Sequence, residues 1–159
     1  THTIQQAIDL AFQHHNAGRL PEAENIYQQI LQTNPDQPVA LHLLGVIAHQ
    51  VGKNDTAVDL IARALAIEPY LAEAHSNLGL ALQGLGKSED AIASYHKALA
   101  IRPNYADAHF NLGTALLELG QHKKGLEHLQ KGNGMIHFRN NEQNPYFTIL
   151  GGTMTGANR

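Results

Sequence analysis

Histidine is the residue type here with the most chemistry to offer: eleven imidazoles stand among 159 residues, and no cysteine accompanies them. Their spacing argues against a shared metal ion. His14 and His15 are adjacent, so on a helix they point about 100° apart. His42 and His49 are two helical turns apart, and His15 and His49 approach only if successive helices stack closely. There is no HExxH pattern, and no carboxylate falls in ligand register with these imidazoles, so neither a metal nor another cofactor is expected. Gly84-Leu85-Gly86-Lys87-Ser88 ends like a phosphate loop, but Ala81 occupies the position of the loop's first glycine and no strand precedes it. Asn54-Asp55-Thr56 is a formal glycosylation sequon without secretory context. Ser76, Ser88 and Ser94 have no accompanying base and acid, so the chain is not expected to be an enzyme.

What positions these side chains is a period of 34 residues. Gly18, Gly52, Gly86 and Gly120 fall on it, as do Ala23, Ala57, Ala91 and Gly125. Pro35, Pro69 and Pro103 form a third series, broken by His137, and Ala11, Gly45, Gly79 and Gly113 a fourth. Each copy reads as two amphipathic helices joined by a tight turn, with apolar residues at helical spacing in 72–85 and 89–102. Gly86 suits a left-handed position after the first helix, and Pro103 ends the second. Small residues at Gly79 and Ala91 let the two helices approach closely. One hairpin cannot bury its own apolar face, so the copies must stack. Helices are expected over 4–17, 21–34, 38–51, 55–68, 72–85, 89–102, 106–119 and about 122–131.

This pattern resembles the tetratricopeptide repeat. Gly79, Ala91, Tyr95, Ala98 and Pro103 carry the family's series best, followed by Gly45, Ala57, Ile61, Ala64 and Pro69 and by Ala11, Ala23, Tyr27, Ile30 and Pro35. The fourth copy keeps Gly113 but departs at Gly125, Leu129, Gly132 and His137. The resemblance implies an all-α, right-handed solenoid over 4–131, with copies at 4–37, 38–71, 72–105 and a degenerate 106–131. It also implies that first helices line a concave groove through the second, fifth, sixth, ninth, twelfth and thirteenth repeat positions.

That register gives Ile8, His42, Ser76 and Phe110 at the fifth position and Phe12, Val46, Leu80 and Thr114 at the ninth. The twelfth holds His15, His49, Gln83 and Leu117. The groove is thus expected to be largely uncharged, without the lysines and arginine that grip a C-terminal carboxylate in chaperone-binding relatives. Apolar anchors of an extended or helical peptide suit it better. The sixth position holds Asp9, Leu43, Asn77 and Asn111. Asn77 and Asn111 resemble the asparagine ladder of O-linked N-acetylglucosamine transferases, as do the words AEAHSNLG and ADAHFNLG. A ladder would hold peptide backbone; the alternative is that each asparagine bridges neighbouring helices. His75 and His109 occupy a slot that the family usually gives to a large aromatic, and read as packing residues.

Eleven basic and fourteen acidic side chains leave a net charge of −3, scattered too sparsely for a nucleic-acid groove. No apolar run approaches the roughly 18 residues of a membrane helix, and a cytoplasmic location is expected. Residues 132–159 fall outside the repeat: Gly132-Asn133-Gly134 stops or loosens the last helix, and 135–138 and 146–150 are strand-compatible runs. This irregular tail covers the fourth hairpin, joins a neighbouring molecule to form a homo-oligomer, or leads into a further domain. The functional expectation is a noncatalytic scaffold whose groove binds a protein or peptide partner. The alternatives are a substrate-recruiting module of a larger glycosyltransferase- or sulfotransferase-like enzyme, and a self-assembling scaffold.

Overall fold

The computed structural model describes residues 3–133, 136–139 and 146–149. Four helical hairpins follow one another: α1 (Ile4–Asn16) with α2 (Leu20–Thr33), α3 (Pro38–Gln50) with α4 (Asn54–Ile67), α5 (Ala72–Gly84) with α6 (Ser88–Ile101), and α7 (Ala106–Glu118) with α8 (His122–Asn133). The first helix of each hairpin ends one residue earlier than the sequence suggests, and α2, α4 and α6 are shifted one residue back. The cause is the geometry of the turn. Lys87 N–H donates to the Leu82 carbonyl at 2.9 Å and Gly86 N–H to that of Gln83 at 2.9 Å, with Gly86 at φ +74°. This doubled closure places the glycine two residues beyond the last helical one. It recurs at Gly18, Gly52 and Gly120.

A side chain at Gly86 would meet no atom within 4 Å, so its substitution tests conformation alone. Gly86→Ala is expected to lower stability by about 1 kcal/mol, the cost of a left-handed L-residue. Urea unfolding checks this, and an unchanged midpoint would contradict it.

Second helices bury one residue per turn against their partners: Ala23, Tyr27 and Ile30, then Ala57, Ile61 and Ala64, then Ala91, Tyr95 and Ala98. In the second and third hairpins the large member of the set lies over the small residue of the first helix. The Tyr95 ring occupies the space a Gly79 side chain would need, and a Cβ on Gly45 would come within 2.6 Å of Ile61. The fourth hairpin closes more tightly still. A Cβ on Gly125 would lie 2.9 Å from the Gly113 carbonyl, and one on Gly132 would lie 2.6 Å from the Phe110 nitrogen. Gly132 therefore does not end the helix. It lets α8 continue against the α7 backbone as far as Asn133.

First helices also pack on one another, α3 on α5 and α5 on α7, while second helices reach forward to the next copy's first helix. The first helices thus form the inner layer of an all-α solenoid. His75 and His109 are buried, as packing residues should be, and each does more. His75 Nε2–H donates to the Pro69 carbonyl at 2.8 Å, and His109 Nε2–H to that of Pro103 at 2.7 Å. Each imidazole ties its helix to the turn leading into it.

The two strand-compatible runs form β1 (Ile136–Arg139) and β2 (Tyr146–Ile149), paired antiparallel with Ile136 opposite Ile149. Of the expected tail, Gly132 and Asn133 thus belong to α8 of the fourth hairpin, while 134–135, 140–145 and 150–159 lie outside the described residues.

Candidate functional site

Successive first helices are stitched together by side chains 35 residues apart. Each bond joins the fifth position to the next copy's sixth, or the twelfth to the next copy's thirteenth. The Asn77 amide donates to His42 Nε2 at 2.9 Å, and the Asn111 amide reaches Ser76 Oγ at 3.5 Å. His15 Nε2–H donates to Gln50 Oε1 at 2.8 Å, and Gln83 to Glu118 at 3.1 Å. His49 departs from this rule and bonds Asn54 Oδ1 at 2.7 Å instead. The reason is Gly84, which holds the position His49 would otherwise address and leaves room there for the Asn54 amide.

This stitching sorts the expected groove residues. The fifth position faces the next copy, so Ile8 and His42 are buried, at 6% and 8% exposure, and offer no ligand surface. Ile8 belongs to the core with Ala11, Ala23 and Tyr27. Phe110 has the same register, but no fifth hairpin follows among the described residues, and it stands 44% exposed at the rim. The ninth position is open: Phe12 is 47% exposed, and Val46 and Leu80 are half-buried. His15, His49, Asn77, Asn111 and Leu117 are half-buried as well. Asn77 and Asn111 bridge neighbouring helices, yet these bridges use neither carboxamide oxygen.

Burial pushes the His42 imidazole down to about 4, against the opposing pull of the Glu73 carboxylate. It pushes the Tyr27 phenol up to about 12. The Tyr95 phenol rises for the same reason, aided by Glu118, and donates a short hydrogen bond to Gln83. Glu73 is ion-paired with Arg102, which lies over the Tyr105 ring.

The inner layer is more acidic than expected. The second and thirteenth positions add Glu73, Asp107 and Glu118 to Asp9, with no lysine or arginine on any first helix. The fifth, ninth and twelfth positions alone conceal this. The histidine bonds to Pro69 and Pro103 were also missed, although the shared Pro-x5-His spacing was a readable signal. Among the described residues, no three His, Asp or Glu side chains converge as metal ligands, and no helix is long and apolar enough to cross a membrane.

A stack of helical hairpins whose first helices present an open, stitched inner face defines a helical-repeat scaffold for protein interaction. The chain belongs to the tetratricopeptide repeat family: models described as tetratricopeptide repeat match residues 14–78 and 106–135, and one described as TPR repeat matches 84–120. No curated protein matches the chain. Among solved structures, it is similar to MamA from Desulfovibrio magneticus RS-1 (residue 41 to the end), with 23% identity, a TM-score of 0.73, and coverage of 82% of this chain and 73% of that one. A structure of MamA AMB-1 is 28% identical, with a TM-score of 0.66 over 84% of this chain and 73% of that one.

Proposed function

We propose that the chain is a noncatalytic scaffold holding a peptide segment of a partner protein along its inner layer. The observation that carries this reading is the ninth-position stripe. Phe12, Val46 and Leu80 leave apolar surface open on three successive first helices, while on the fourth the half-buried Leu117 side chain lies against Gly125 of α8. Anchors spaced along such a groove can seat alternate side chains of a bound segment. The carboxamide oxygens of Asn77 and Asn111 would accept backbone N–H groups while their amides keep the helices stitched. His15 and His49 are held by Gln50 and Asn54 and form the polar border of the stripe.

Phe12→Ser combined with Leu80→Ser is expected to weaken capture of the partner by at least about ten-fold, the effect of removing two anchors. The melting temperature should move by only a few degrees. Ile67→Ser, at an exposed site on a second helix, serves as the control and should bind as before. Binding that survives the double variant, in a chain that still folds, would refute the groove.

A further inference from the structure

Charge is divided between the two layers of this solenoid. Outside the first helices, residues 3–133 hold nine lysines and arginines and nine carboxylates, which cancel. The four first helices hold four carboxylates and no lysine or arginine. The inner layer therefore carries the whole negative excess of this region. Glu73 is neutralised by Arg102, the one ion pair among the described residues. Three carboxylates remain for a partner, all exposed: Asp9 on the first helix of the row, and Asp107 and Glu118 on the last. Val46 and Leu80 lie on the two helices between them.

From this arrangement, and resting on the groove reading above, we propose that the ligand is a basic protein segment with an apolar centre and lysine or arginine at both ends. Adjacent packed helices are about 10 Å apart, which is roughly three residues of extended chain. The row from α1 to α7 then spans roughly nine residues. Cations at that separation would meet Asp9 at one end and Asp107 or Glu118 at the other. Asp9 and Phe12 are three residues apart on α1, and so share a helix face. A long basic side chain placed there meets a carboxylate and lies against an exposed ring at once. Asp107 and Phe110 repeat this pair at the far rim. A polyanion would be repelled by the same face, and an acidic peptide would lose affinity through like-charge contact.

The test uses two labelled synthetic peptides of about eleven residues, identical in a leucine-containing centre. One carries two lysines at each end and the other two glutamates, and binding is read by fluorescence anisotropy. The lysine peptide is expected to bind at least ten-fold more tightly at low salt, and the ratio should shrink as salt is raised. Asp9→Asn, Asp107→Asn and Glu118→Gln together should bring the ratio below three-fold while leaving thermal unfolding in place. Equal binding of both peptides, or a preference that survives in the triple variant, would overturn the charge assignment. If that equal binding is lost in the Phe12→Ser, Leu80→Ser variant, the groove stands and only its charge preference fails. Binding of neither peptide overturns the basic ligand, and partner capture by the same double variant then decides the groove separately.

Discussion

Gly79→Ala should destabilise this protein by about 2 kcal/mol when Tyr95 is present, the usual scale for overpacking a filled core. It should stabilise by up to about 1 kcal/mol when Tyr95 is already alanine, because alanine is the better helix former. The sign reversal follows from the contact. The three atoms nearest a methyl group at Gly79 all belong to the Tyr95 ring, and both residues are buried where α5 crosses α6. The ring cannot simply swing aside, because its hydroxyl is tied to Gln83 and it sits within the cluster of Leu82, Ala91 and Leu112. Tyr95→Ala alone should cost about 3–5 kcal/mol, as other large-to-small aromatic replacements do. Urea unfolding of the wild type, both single variants and the double variant gives the coupling directly. If Gly79→Ala has the same sign in both backgrounds, the glycine is there for some reason other than the ring.

Much of the architecture was legible because it is written in a period. Glycine at a left-handed turn, a small residue under a large one and proline after the second helix each have a local physical cause, and each recurs in register. The fourth copy was less legible. Gly125 and Gly132 read as decay of the pattern, whereas their missing side chains let α8 lie on the α7 backbone. Single-copy reasoning cannot distinguish a lost side chain from a closer approach. The site was legible in outline only. Repeat position told which face Ile8 and His42 were on, but not that the next helix covers them, since the covering residues, such as Asn77, lie one repeat further along. The same offset explains why Asn77 and Asn111 serve as bridges before they serve any ligand. Acidity escaped notice because it resides at positions flanking the ones that form the floor.

His42 should make the fold sensitive to acid. Its Nε2 accepts the Asn77 amide, so the folded state requires the neutral ring, and burial lowers its pKa from 6.5 to about 4. Between those values the unfolded chain takes up a proton that the folded chain refuses, so stability rises with pH across that window and falls as pH drops through it. The loss from this one residue should reach about 3 kcal/mol by pH 4 and then level off, while above 6.5 its contribution is complete. His128, lowered by burial and by the neighbouring His109 ring, acts in the same direction. The clean comparison is therefore His42→Ile, which borrows the residue type that Ile8 places at the same repeat position. Asn77 is half-exposed and can turn to water when the imidazole is gone. Unfolding free energies measured from pH 4 to 8 should show a shallower slope in His42→Ile than in the wild type, with the two differing most at the acid end. Parallel curves would mean that the folded chain takes up the His42 proton as readily as the unfolded one, with Asn77 turning its oxygen toward the ring to accept it.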